Sequence, residues 1–249
     1  MSVTGHGELS GRAAIVTGAS RNIGRAIAVA LGSGGASVLV HANAARAEAE
    51  TTAGLVREAG GKAAVAMGDL TDPAVPAKLV DEALAAFGRL DLVVANAVSR
   101  PEAPLAEMTY EDWRRVMALS LDSVFLLVKA ALEPLRRSDR AAIVTLGGLS
   151  GHAGGHHRAH VITAKAGLAG LTKALATEFG EDGITVNCVA PGLIETQRVD
   201  VVPHTKRTNA LGRRGRPEDI AAMVRMLCGP DGRYITGQTL HVNGGALMV

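Results

Sequence analysis

The chain has 249 residues, 47% of them hydrophobic, with 26 lysines and arginines against 24 acids for a formal charge of +2. The cations are scattered, leaving no footprint for nucleic acid or an anionic membrane surface. Apolar runs stop short of the ~18 residues that span a bilayer. The opening MSVTGHGELSGR lacks the basic start and apolar core of a secretory signal. Cys188 and Cys228 are too few and too far apart for a disulfide framework or a cysteine metal site. A cytoplasmic protein with reduced thiols and a small-molecule substrate is expected.

In chain order, AAIVTGA (13–19) reads as a short buried strand and Asn22 to Leu31 as an apolar-periodic helix. SVLVHA (37–42) is a second strand, followed by an alanine-rich helix to about Glu58. KAAVAMGDL (62–70) and LDLVVANA (90–97) are strands around a helix in 73–87. A long helix over roughly 110–137 leads to AAIVTLGG (141–148), and another covers about 160–180. GITVNCVAPG (183–192), a helix at 217–228 and QTLHVNGG (238–245) complete the series. Continuous apolar strands mean that both faces are covered, as in a parallel sheet. Repeated β-α units therefore predict a Rossmann-type, doubly wound α/β fold of about seven strands, one domain over 1–249, with ligands beyond the carboxyl ends of the strands. The irregular stretch 193–215 reads as a substrate lid.

TGASRNIG (17–24) follows the first strand and opens the first helix, where glycines let backbone approach a pyrophosphate and the helix start supplies free N–H groups. Gly18, Ser20, Arg21, Asn22, Ile23 and Gly24 are candidate phosphate-binding residues. Asn22 replaces a middle glycine, and asparagine tolerates positive φ. The end of strand two, HANAAR (41–46), carries no carboxylate to accept from ribose hydroxyls, and Arg21 with Asn43 suits a 2′-phosphate. NADP (as NADPH) is favoured over NAD.

TGASRNIG, GDL (68–70), ANA (95–97), Lys165, NCVAPGLIET (187–196), RGRPEDIA (214–221) and TGQTLHVNGG (236–245) together resemble the short-chain dehydrogenase/reductase family from end to end. The resemblance implies that Asp69 and Leu70 hold the adenine and that Asn96 and Ala97 line the cofactor groove. It implies that Pro191, Gly192, Ile194 and Thr196 cover the nicotinamide, and that Lys165 holds its ribose. It also implies a homotetramer, with the long helix and the Lys165 helix packing on their copies through positions such as Leu168, Leu171 and Ala174.

Members of that family use a tyrosine, a lysine four residues later, a serine after strand five and an asparagine in the long helix. Aligned from both sides, Val161 stands at the tyrosine, Gly148 at the serine and Ser120 at the asparagine, while Val98 replaces the glycine of NNAG. Only Lys165 remains of the four. Valine cannot protonate an alkoxide, so an oxidoreductase acting on an imine, an iminium or an activated C=C bond is expected rather than a ketone reductase. A non-redox enzyme and a non-catalytic cofactor-binding protein are the alternatives.

GHAGGHHRAH (151–160) brings four histidines beside the missing tyrosine. His157 and His160 are candidate proton donors because imidazole titrates near neutrality. An early helix start would put His157, Val161 and Lys165 on one face, whereas His160 would point about 100° from Val161. Solvated loop histidines are the plainer reading, and a zinc site is disfavoured without a carboxylate or cysteine. Ser99, Arg100 and Ser150 are expected at the pocket rim. Tyr110 and Tyr234 are expected as packing residues.

Overall fold

The computed structural model describes residues 7–196 and 209–249. Seven strands, β1 (Ala13–Val16), β2 (Ser37–Ala42), β3 (Lys62–Met67), β4 (Leu92–Ala95), β5 (Ala142–Leu146), β6 (Thr185–Pro191) and β7 (Thr239–Val242), form one sheet in the order β3-β2-β1-β4-β5-β6-β7. Every neighbouring pair is parallel. Parallel neighbours need crossovers, and eight helices supply them: α1 (Asn22–Ser33), α2 (Arg46–Glu58), α3 (Val75–Phe87), α4 (Tyr110–Met117), α5 (Ser123–Arg136), α6 (Ser150–Ala153), α7 (Ala159–Glu178) and α8 (Pro217–Cys228). The expected doubly wound fold is the observed one.

Strand alternation explains the unbroken apolar runs. Ala14 and Val16 point into a core with Ile27 and Leu31 of α1, Val56 of α2 and Val224 of α8. Ile15, between them, points the other way into a second core with Leu79 of α3, Leu127 of α5 and Leu168 of α7. The same division recurs for Val38 and Val40 against Leu39, and for Ala142 and Val144 against Ile143. With both faces covered, each side chain of a central strand is removed from water, worth about 1.5–3 kcal/mol for a Leu, Ile or Val.

At the amino ends of the strands, Asp91 is completely buried and ties three of them. Its carboxylate accepts from Ala13 N–H (2.8 Å), Arg89 Nη2 (2.6 Å) and Ser138 Oγ (2.5 Å), and its own carbonyl accepts from Ala142 N–H at 3.0 Å. Burial alone would raise its pKa, but these donors outweigh burial and hold it below the usual carboxylate range. The polar cluster clamps the end of the sheet opposite the site.

Several expectations change in detail. β2 matches its expected run, whereas the other six strands are shorter because residues at the ends of those runs belong to the loops. The long helix is interrupted at Ala118–Asp122 by a π-turn, which carries Ser120. Leu168 belongs to the second core and is 1% exposed, so it cannot face a partner copy. Tyr110 and Tyr234 are 70% and 103% exposed, so neither packs within the chain. The expected lid falls largely on 197–208, outside the described residues. Its two described flanks meet, with Glu195 N–H donating to Gly215 O at 2.8 Å and Gly215 N–H to Leu193 O at 3.0 Å. No helix among the described residues is long and apolar enough to cross a membrane.

Candidate active site

The sheet order reverses between β1 and β4, and there the crevice opens. Thr17, at the end of β1, accepts on Oγ1 from the N–H groups of Asn96 and Ala97, both at 3.0 Å. The Asn96 amide donates in return to the carbonyls of Thr17 and Gly18, again at 3.0 Å. The β1–α1 turn is thus drawn onto the end of β4. A Cβ on Gly18 would lie 2.9 Å from Ala97 Cα, and one on Gly24 would lie 2.2 Å from Gly18 O. Only glycine fits either place. Asn22 has φ 51°, as expected from its place in the turn. The α1 N-terminus has no side-chain cap from Arg21 and no acid in its first turn, so its positive dipole suits an anion.

Around this cradle, the residues proposed for a dinucleotide fall into different settings. Ser20 is buried, and its carbonyl accepts from Arg25 (2.6 Å) and Thr52 (3.1 Å). Ile23 is partly buried against the first core. Arg21 and Asn43 are exposed, at the head of α1 and beyond β2. Asp69 is held below the ordinary carboxylate range, first by the Thr71 N–H and hydroxyl, and Asn43 adds to the effect. Leu70 is 4% exposed and packs with α3, so it can offer a base only its backbone. Pro191 accepts from Leu149 N–H at 3.0 Å, and Gly192 N–H donates to Val242 O at 3.0 Å. Ile194 packs on Gly215, and Thr196 lines a cavity of about 790 Å³ with Arg21 and Asn22.

At the catalytic end, Lys165 is buried on α7 and donates from Nζ to Leu146 O at 2.5 Å. Burial lowers its pKa to about 8, and the Arg100 charge pushes in the same direction. Cys188 opposes them, its own thiol raised by burial. Val161 is 2% exposed against Val116, Met117 and Ala164. Ser120 is buried with no hydrogen-bond partner for its hydroxyl among the described residues. Gly148 faces open space: an added Cβ would meet nothing nearer than Ser150 Oγ at 3.9 Å and Lys165 Cγ at 4.0 Å.

The family described as enoyl-(acyl carrier protein) reductase matches residues 18–246. The 3-oxoacyl-[acyl-carrier-protein] reductase FabG of Escherichia coli K12 is 39% identical over 247 residues, covering 96% of this chain and 98% of that protein. A dehydrogenase/reductase from Sinorhizobium meliloti 1021 superposes with a TM-score of 0.92 at 36% identity, covering 96% of each chain. A blue fluorescent protein from a metagenomic library, in complex with NADPH, superposes at 0.89 with 31% identity, covering 97% of this chain and 100% of that one.

The chain belongs to the short-chain dehydrogenase/reductase family.

As a short-chain dehydrogenase/reductase it is an NAD(P)-dependent oxidoreductase, and its histidines take positions that spacing alone does not fix. α7 begins at Ala159, and His157 precedes it in a turn at φ 57°, so His157, Val161 and Lys165 do not share a helix face. His157 is exposed beside His156, their rings 6.1 Å apart. His160 is on the helix but 0% exposed, with neither ring nitrogen partnered among the described residues. Asp112, at the start of α4, is held below the ordinary carboxylate range chiefly by the Thr109 hydroxyl and N–H. His152 meets His241 edge to face at 4.7 Å. Among the described residues no three His, Cys, Asp or Glu side chains gather as metal ligands.

One cradle residue has no counterpart among the expected ones. His41 is 2% exposed at the end of β2, accepts on Nδ1 from Gly18 N–H (3.2 Å) and meets Gly68 O through Nε2 (3.0 Å). The first contact needs a bare Nδ1, so the proton is on Nε2 and the ring is neutral. Burial, the largest influence, lowers its pKa. The signal was one imidazole in the otherwise apolar run SVLVHA.

Asn22 allows a direct check of the turn. Asn22→Gly should keep the fold and dinucleotide binding, whereas Asn22→Ala should cost about 1 kcal/mol of stability, because alanine lacks the local hydrogen bonds that let asparagine visit this region. Urea unfolding midpoints read the difference, and equal stability of the two variants contradicts it.

Proposed function

We propose that the chain uses NADPH to reduce an activated C=C bond, at a non-standard site where Lys165 manages the proton in place of a tyrosine. The observation that carries this reading is the buried Lys165 amine beside an open Gly148, with methyls at Val161 and the Arg100 charge acting on it. NADPH supplies a hydride when bound, and everything else falls to the chain. Ser20 to Gly24 would take the pyrophosphate, Arg21 and Asn43 the 2′-phosphate, Asp69 and Leu70 the adenine, and Asn96 and Ala97 the groove. Lys165 would meet the ribose, with Pro191, Gly192, Ile194 and Thr196 near the carboxamide. The missing carboxylate after β2 and a relative that holds NADPH support the phosphorylated cofactor.

Charge decides between the substrates. With a pKa of about 8, Lys165 is an ammonium at neutral pH. Two cations at one end repel an iminium but stabilise the oxygen of an enone, where negative charge develops as the β-carbon takes hydride. Lys165 would then give its proton to that oxygen and be refilled from water, and the enol so formed would tautomerise, its α-carbon taking a proton from solvent as the O–H proton is lost, to leave the saturated carbonyl. In a simple ketone the oxygen is bonded to the carbon being reduced, and Val161 offers it no donor. The enoyl reductase description of the matched family supports the same substrate class.

We also propose a homotetramer. Phe125 is 50% exposed and, with Leu121, Leu126, Leu171 and Ala174, lines a shallow apolar groove between α5 and α7 that suits a second copy.

Three measurements test these readings. Titration followed by nicotinamide fluorescence should give NADPH a several-fold lower Kd than NADH, and Arg21→Ala should narrow the gap, since a charge-assisted contact is worth about 1.5–3 kcal/mol. Equal constants in the native protein refute the choice of cofactor. In turnover against enones, imines and ketones, enone kcat/KM should be flat near neutrality and fall above about pH 8 as Lys165 loses its proton. His157→Ala should leave that profile unchanged; an inflection between about pH 6 and 7.5 that disappears in the variant would move the role to histidine. Light scattering at micromolar concentration should give a tetramer mass, reduced by Phe125→Asp, and a monomer mass overturns that assignment.

A further inference from the structure

The loop after β5 is held more firmly than its glycine content suggests. Gly147 N–H donates to Val189 O at 2.8 Å, Leu149 N–H to Pro191 O at 3.0 Å, and Gly151 N–H to Gly148 O at 3.0 Å. Gly151 lies directly on α7, where an added Cβ would be 2.9 Å from Lys165 Cβ. The loop is therefore fixed to both the end of β6 and the lysine helix. Ser150, between these ties, has a partly exposed side chain whose hydroxyl makes no hydrogen bond to any described residue. That hydroxyl lies 3.9 Å from the point where a Gly148 Cβ would sit, and Lys165 Cγ lies 4.0 Å from the same point. A serine at 148 would place its hydroxyl one bond beyond that point. Ser150 Oγ thus borders the same small space, reached from the next turn of chain.

We propose that Ser150 is a catalytic residue, its hydroxyl donating to the substrate carbonyl oxygen in the space that Gly148 leaves open beside Lys165. A hydroxyl with no partner among the described residues, on a loop tied at both ends, needs no reorganisation when charge develops on that oxygen. Lys165 would approach the same oxygen from the other side of the space. A backbone glycine cannot contribute a donor side chain, so at 148 the chain supplies room and at 150 the hydrogen bond. The assignment rests on the reductase reading above.

The test uses binding rather than turnover, with isobutyramide as an unreactive carbonyl probe added to the protein–NADPH complex and read by nicotinamide fluorescence. Ser150→Ala should weaken isobutyramide binding about fivefold or more, the loss of one hydrogen bond, while the NADPH Kd stays within twofold. Ser150→Thr, which keeps the hydroxyl, should retain most of the affinity. Adding Gly148→Ser to the Ser150→Ala protein should restore binding, because the new Cβ meets no atom closer than 3.9 Å. Unchanged binding in Ser150→Ala, no rescue by Gly148→Ser, or no isobutyramide binding to the native complex overturns the proposal. Failure of the native protein to bind NADPH at all would instead sink the reductase reading.

Discussion

The molecule depends on the closure of the β1–α1 turn against the end of β4. Thr17 and Gly18 are joined to Asn96 and Ala97 by four hydrogen bonds across that junction, and Gly18 and Gly24 are without side chains because backbone occupies the space. The sheet's strand order makes the crevice, but this interlock sets its width at the point where a pyrophosphate would enter. Any side chain on either glycine would push α1 away from Asn96. Since α1 also packs on α8 across the first core, such a displacement would be felt far beyond the turn.

Across the crevice the governing constraint is dielectric rather than steric. Lys165 is almost removed from water, and among the described residues its amine donates to the carbonyl of Leu146, a partner without charge. A buried amine with no carboxylate beside it holds its proton weakly. The same burial that makes Lys165 costly as a cation makes it useful as an acid near neutrality. Cys188, on the adjoining strand, is pushed the opposite way by the same medium. The two groups thus stay protonated at neutral pH for different reasons.

The architecture was legible because it rests on local pattern: seven apolar runs, each bounded by glycine or polar residues, in strict alternation with helical periodicity. The Asn22 turn was legible for the same reason, since its conformation is decided by residues within the turn. The catalytic surroundings were not. Whether His157 shares a face with Lys165 depends on where α7 starts, and that is decided by a turn at positive φ and the exposed loop before it, which periodicity does not register. Leu168 fits a partner-facing stripe by spacing, yet the sheet beneath α7 claims it. Ser150 gains its place from ties to β6 that are remote in sequence. The tyrosines mislead differently: aromatic residues are packed on average, and these two stand on the surface.

His41 carries a consequence of another kind. Its Nδ1 must stay bare to receive the Gly18 N–H, while Nε2 faces the carbonyl of Gly68. A second proton would set two donors face to face at the heart of the phosphate cradle. Because its pKa is depressed in the folded chain, this ring contributes stability that is complete above the ordinary histidine value of about 6.5 and ebbs as acid titrates it. The Asp91 clamp, a carboxylate held below its usual range, tolerates much lower pH. Acidification would therefore loosen the two ends of the same sheet in sequence, the nucleotide mouth first and the strand roots long afterwards.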